Sequence, residues 1–216
     1  MSTNVLILGA GGHGWVVADI LLRMQQSGQD VVPIGYLDDD PQLVGQRFLD
    51  LPVFGVGANL PDVPHDAVVI AIGNNQTRRR IFAILQAHGE QFAIARHPAA
   101  VVAPDVRIGV GTVICAGAIV NPGSVIGANV ILNTGCTVDH HNVIGTHSHV
   151  APGVHLGGDV SIGEGTLVGI GATVIPQRRV GTWSVVGAGS LVSKNVPDRS
   201  VVVGIPARVI RSQANT

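Results

Sequence analysis

From residue 102 onward the chain keeps a strict six-residue beat. An aliphatic side chain recurs at Val102, Ile108, Ile114, Val120, Ile126, Leu132, Val138, Ile144, Val150, Leu156, Ile162, Val168, Val174, Val180, Val186 and Val192, with no step longer or shorter than six. The residue four places after each aliphatic is mostly small, as at Thr112, Ala118, Ser124, Cys136, Ser148, Thr166, Ala172, Ser184 and Ser190. Glycine often follows the aliphatic directly, as at Gly109, Gly127, Gly145, Gly163, Gly169 and Gly181. So short and regular a repeat predicts a parallel β-helix. Three hexads make one triangular coil, and stacked coils bury one aliphatic column per face. The small residue is expected to let the chain turn each corner.

Composition excludes several other classes. Hydrophobic residues make up 46% of the 216 and charged ones 12%. No apolar run approaches the roughly 18 residues of a membrane helix, so no membrane span is expected. Met1 to Asn4 lead straight into a strand without a basic, apolar and small-residue leader, which predicts a cytoplasmic protein. Cys115 and Cys136 are too few for a disulfide framework and agree with a reducing compartment. The net charge is −1 with no Lys/Arg stripe, so nucleic acid is not expected as a partner. Aromatics are only 3%, which argues against a lectin that stacks sugars on exposed rings.

Residues 1–97 follow a different grammar. Val5-Leu6-Ile7-Leu8 reads as a buried strand, followed by Gly9-Ala10-Gly11-Gly12-His13-Gly14 and a helix from Trp15 to about Gln26. A second strand, Val31 to Leu37, ends in Asp38-Asp39-Asp40. A third, Ala67 to Ile72, ends in Gly73-Asn74-Asn75, before a helix over about 76–88. Alternating strands and helices predict a small Rossmann-like parallel sheet, joined near His97-Pro98 to a β-helix domain spanning 98–216. Gly9, Gly11 and Gly14 match G-x-G-x-x-G between a strand and a helix. That turn lets backbone approach an anion and aims helix N–H groups at it. Asp38 or Asp39 lies where a ribose-binding acid would sit. A dinucleotide site normally needs two such halves, and only one is present. The spacing therefore fits a mononucleotide or sugar nucleotide better than NAD, and a turn that merely closes strand onto helix stays open. His13 is placed to cap the helix or touch a ligand.

Five of the nine histidines fall between 140 and 155: His140, His141, His147, His149 and His155. By phase His140, His141 and His147 lie on corners, while His149 and His155 each precede a column residue. No two of the five are 18 residues apart, so none stack on one face. A single chain thus does not bring three imidazoles to one ion, as catalytic zinc requires; corners of different chains in a trimer could meet, which leaves zinc-dependent hydration open as a minor reading, but no metal is expected. Solvated surface histidine is the bland reading for His147 and His155. His140 suits a general base near neutral pH, with Asp139 as the nearest carboxylate to orient its ring.

These motifs together resemble a known family. Gly-Ala-Gly-Gly-His-Gly, Leu37-Asp38-Asp39 and Ala71-Ile72-Gly73-Asn74-Asn75 precede a solenoid carrying Asn133-Thr134-Gly135-Cys136-Thr137-Val138-Asp139-His140, and Gly204-Ile205-Pro206-Ala207-Arg208 comes near the end. The order resembles bacterial sugar O/N-acyltransferases of the sialic acid acetyltransferase group, in particular those that acetylate UDP-bacillosamine precursors and GDP-perosamine. The resemblance implies a left-handed β-helix, a homotrimer, acetyl-CoA as co-substrate and a nucleotide-linked amino sugar as acceptor. It implies His140 as the base, His149 contacting acetyl-CoA, and Ile170 and Ala188 along the pantetheine cleft. Gly11, Gly12, His13, Asp38, Asp39 and Gly73 match the sugar-nucleotide pocket. In one departure, relatives place an acid directly after the base, where this chain has His141. The expected activity is direct N-acetylation, with Cys115 and Cys136 structural. O-acetylation of sialic acid or a related sugar, and a noncatalytic sugar-nucleotide scaffold, stay open.

Overall fold

The computed structural model describes residues 2–212, and the chain divides into two compact units, Met1–Pro98 and Ala99–Thr216. Among the described residues no helix is long and apolar enough to cross a membrane.

The first unit contains β1 (Thr3–Leu8), α1 (Gly12–Gln26), β2 (Val31–Leu37), β3 (Arg47–Phe48), β4 (Leu51–Gly55), β5 (Ala67–Ile70) and α2 (Asn75–Ala87). Its sheet runs β3-β4-β2-β1-β5. β1 lies between β2 and β5 and is parallel to both. A strand covered on both faces should be apolar throughout, and Val5, Leu6 and Ile7 have no exposed surface. α1 turns Val17, Ala18, Leu21 and Met24 inward at helical spacing. It begins at Gly12 rather than Trp15, because the glycine turn passes straight into the helix. The β3–β4 hairpin was not expected from sequence: β3 is two residues long and Pro52 lacks a ladder donor, so neither carries a strand signal.

The second unit is a left-handed β-helix of two-residue strands. Each strand pairs in parallel with those 18 residues before and after it, so that Val120 lies between Val102 and Val138. Each beat residue from Ile114 to Val192 is buried, and they form one continuous core. The last coil is shorter, pairing Val185 with Val201 and Val186 with Val202. An antiparallel hairpin of Ser200–Gly204 and Ala207–Ser212 closes this end.

The corner assignment needs a correction. The chain turns one residue before the small one, three places after each aliphatic. There φ is positive, at Gly111, Gly117, Gly123, Gly135, Gly153, Gly165, Gly171 and Gly189, and at Asn129, His141, His147, Asp159, Gln177 and Trp183. The small residue instead points inward and stitches coils together. Thr112 Oγ1 donates to the Gly127 carbonyl and accepts the Val130 N–H, at 2.9 and 3.2 Å. Ser124 does the same with the Asp139 carbonyl and the Asn142 N–H, at 3.0 and 3.2 Å. A larger side chain there would enter the core.

Glycine after the aliphatic has a steric cause. A Cβ on Gly145 would sit 2.5 Å from the Glu164 backbone nitrogen of the next coil, whereas one on Gly135, at φ +64°, would meet nothing within 4 Å. Gly145→Ala should therefore cost about 2–3 kcal/mol by forcing coils apart. Gly135→Ala should cost only about 1 kcal/mol, for the left-handed backbone alone. Urea unfolding of both variants checks the order; an equal or reversed order contradicts it.

Candidate functional site

In the first unit the carboxyl ends of β1, β2 and β5 meet the glycine turn. Gly9 has φ +110°. Gly14 lets α1 press onto the strand end, since a Cβ there would collide with the Gly9 carbonyl. Gly11 caps the helix with no side-chain bond, leaving first-turn N–H groups without a capping side chain. A Cβ on Gly11, Gly12 or Gly73 would meet nothing within 4 Å, so all three border open space. Asp38 braces the turn: its Oδ2 accepts the Ala10 N–H at 2.7 Å and its Oδ1 the Asp40 N–H at 2.9 Å. Asp39 Oδ1 accepts the Gly57 N–H at 2.9 Å.

A cleft of about 310 Å³ opens at these strand ends, lined in part by Gly9, Asp38, Asp39, Gly57, Ile72 and Ile81. Of the six residues read as a sugar-nucleotide pocket, Asp38 and Asp39 line it; Gly11, Gly12, His13 and Gly73 do not. Sequence reading missed Arg78, which is 1% exposed and donates from Nη1 to the Ile72 and Gly73 carbonyls and from Nη2 to Asn75 Oδ1. It holds the loop after β5 beside the cleft. His13 caps nothing; its buried Nε2 has no hydrogen-bond partner. Burial first, and the Arg78 charge second, push its pKa down to about 4.

In the second unit His140 and His141 occupy one exposed corner, His141 at φ +57°. Their rings meet edge-on, with Nδ1 to Nδ1 at 3.0 Å. Asp139 makes no hydrogen bond to the His140 ring, though the His140 charge also acts on its carboxyl. Its Oδ1 accepts the His140 backbone N–H at 2.8 Å and the Asn121 amide at 2.9 Å. Those bonds hold its carboxyl below the usual range, Asn121 first and the His140 N–H second. The partner of the His140 ring is His141. Beneath the corner lies fully buried Asn142. Its Nδ2 donates to the Asp139 and Gly157 carbonyls, and its Oδ1 accepts the Val160 N–H. Asn142 fills a small-residue position, 18 residues after Ser124, and adding 18 to His141 would have found Asp159.

The other read residues lie apart from this corner. His149 Nε2 accepts the Asn133 amide at 3.0 Å; Asn133 Oδ1 already accepts the Thr134 N–H, which fixes the amide's orientation and puts the ring proton of neutral His149 on Nδ1. Ile170 and Ala188 stack on another edge of the prism, where the Gly189 N–H bonds the Ile170 carbonyl. His147 and His155 pair with Asn129 and Thr137 of the preceding coil, both at 2.9 Å. Cys115 and Cys136 are buried thiols, and burial pushes both pKa values up to about 12, so neither offers a thiolate nucleophile near pH 7.

The PglD N-terminal domain model matches residues 4–85. The acetyltransferase domain of PglB from Neisseria gonorrhoeae FA1090 aligns at TM-score 0.90 and 34% identity, covering 97% of this chain and 100% of that one. A structure of that domain in complex with acetyl coenzyme A aligns equally well. GDP-perosamine N-acetyltransferase from Caulobacter crescentus, a histidine-to-alanine variant in complex with CoA and GDP-perosamine, aligns at TM-score 0.89 and 35% identity, covering 97% of each chain. Serine acetyltransferase 2 of Arabidopsis thaliana is 36% identical over 148 residues, 63% of this chain and 38% of that protein. The chain spans only about a third of the curated relatives it matches, 38%, 34% and 30% for three of them.

His13 gives the first unit a defined acid sensitivity. Its folded pKa of about 4 lies below the unfolded value near 6.5, so the unfolded chain takes up a proton the folded chain refuses. Stability is full above pH 6.5 and falls as pH drops toward 4, by about 2 kcal/mol at pH 5. Urea unfolding followed by Trp15 fluorescence should show a smaller loss between pH 7.5 and 5 in His13→Gln than in the parent. Equal losses would contradict this.

Proposed function

The chain belongs to the sugar N-acetyltransferase family, and from that premise we propose that it transfers acetyl from acetyl-CoA to the amino group of a nucleotide-linked amino sugar, with His140 as general base. The observation that carries this reading is likeness over nearly the whole chain to an enzyme in complex with CoA and GDP-perosamine.

The chemistry follows from the corner. When His140 supplies the proton of the Nδ1–Nδ1 contact, its Nε2 lone pair is left to accept the amine proton. Nitrogen attacks the thioester carbonyl, His140 takes the proton, and CoA leaves as its thiol. His141 is a positioning residue that holds the His140 ring through this contact, and Asp139 fixes the backbone under the ring. His149, oriented by Asn133, is the proposed contact to acetyl-CoA, and backbone N–H groups are left to meet the charge that develops on the thioester oxygen. Two buried thiols held near pKa 12 support direct transfer without an acyl-enzyme, and two cysteines kept as thiols suit a cytoplasmic enzyme. In the first unit the open α1 N-terminus suits a nucleotide diphosphate, with Gly11, Gly12 and Gly73 leaving it room and Asp38, Asp39 and His13 beside it. A homotrimer would put acetyl-CoA in a groove between prisms, along the edge bearing Ile170 and Ala188.

Thiol release from acetyl-CoA, followed over a panel of nucleotide amino sugars and free sialic acid, tests the reading. Turnover with a nucleotide amino sugar is expected. Turnover with sialic acid alone would make it an O-acetyltransferase, and nucleotide binding without thiol release would make it a scaffold. His140→Ala should lower kcat by roughly 10²- to 10⁴-fold. His141→Ala should cost about 10-fold and Asp139→Asn less, since the ring bonds His141 and makes no hydrogen bond to Asp139. The opposite order would return the orienting role to Asp139. Sedimentation should give a trimer at micromolar concentration; a fully active monomer would contradict the groove.

A further inference from the structure

The corner that carries His140 holds more than the proposed chemistry uses. His140, His141 and Asp159 are all exposed, and each offers a donor atom within 4.8 Å of the others. Asp159 is the residue stacked 18 positions after His141, and its N–H bonds the His140 carbonyl at 3.0 Å. His141 is tied from the other side, its N–H bonding the Pro122 carbonyl at 3.0 Å. Coil stacking therefore fixes all three backbones before any ligand arrives. The rings lie where neighbouring coils have no side chain: a Cβ on Gly158 would collide with the His140 ring, and one on Gly123 would approach the His141 ring at 2.7 Å. His141 and Asp159 both hold positive φ at positions that are mostly glycine.

We propose that His140, His141 and Asp159 form a binding site for a borderline-soft divalent cation of the zinc class. Two imidazole nitrogens bound to one tetrahedral zinc lie about 3.3 Å apart, and the two Nδ1 atoms are already at 3.0 Å. The Asp159 carboxylate supplies the third donor by a side-chain rotation on an exposed corner. Two nitrogens and one carboxylate favour zinc over magnesium, which prefers oxygen ligands. The fourth position stays open to water or substrate. A neutral imidazole bound to a metal has no lone pair left for a proton. Occupation would thus silence His140, a consequence that rests on its proposed role as base, whereas the binding does not.

The test is calorimetric titration of the untagged full chain with zinc chloride, with magnesium chloride as a control. One zinc per chain is expected, with Asp159→Asn and His141→Asn each weakening it at least 10-fold; Asn keeps the left-handed corner accessible, so both variants should fold. Thiol release measured in parallel should fall with zinc and recover with EDTA, and Asp159→Asn should need at least 10-fold more zinc, relative to its own zinc-free rate. No zinc binding, or binding unchanged in both variants, overturns the site. Asp159-dependent binding that leaves the parent's rate untouched upholds the site and removes His140 from the role of base.

Discussion

Successive coils of the solenoid are held in an 18-residue register by backbone hydrogen bonds such as Asn121 N–H to the Val138 carbonyl and Asp139 N–H to the Leu156 carbonyl. That register forces every buried aliphatic onto one of three columns. It equally forces every corner residue to stand on the corner residue of the coil below. A functional group on an edge therefore has neighbours determined by arithmetic, and its backbone cannot relax to suit its side chain. This rigidity can hold a base without building a pocket from mobile loops.

The His140 corner shows what the register supplies. Asn121, 18 residues before Asp139, takes one side of that carboxylate; buried Asn142 ties the corner's carbonyls to the next coil; and Asp159 lies 18 residues beyond His141. Positive φ at His141 and Asp159 is a backbone cost that glycine would avoid, and stacked coils enforce it. The first unit reaches fixed geometry differently. Its turn is clamped by Asp38 on the Ala10 N–H and by Trp15 Nε1 on the Ala10 carbonyl at 2.9 Å, so the glycines stay open without becoming loose.

The solenoid was legible because a six-residue period leaves no other way to bury a run of aliphatics of which fourteen, Ile114 to Val192, are fully enclosed. β1, β2, α1 and α2 were legible because apolar runs and glycine turns punctuate them. The β3–β4 hairpin was not, since a two-residue strand beside Pro52 has no period to detect. The turning residue was misplaced by one because small and left-handed positions are adjacent, and composition marks the small one more strongly. At the site, sequence nearness pointed to Asp139 as the orienting partner. A backbone N–H one residue away captured that carboxylate first, and the adjacent imidazole met the His140 ring instead. Asp159 and Asn142 carry no local signal, because each is joined to the corner only by the 18-residue stacking of coils.

The central claim is that one neutral imidazole at this edge accepts the proton of the attacking amine. The most direct measurement is the pH dependence of kcat/KM for thiol release in the parent and in His140→Ala, with the preferred nucleotide amino sugar. The parent should show a limb that rises with the loss of one proton and plateaus, and the variant should be slow and lack that limb. A variant that keeps both the rate and the limb would contradict it.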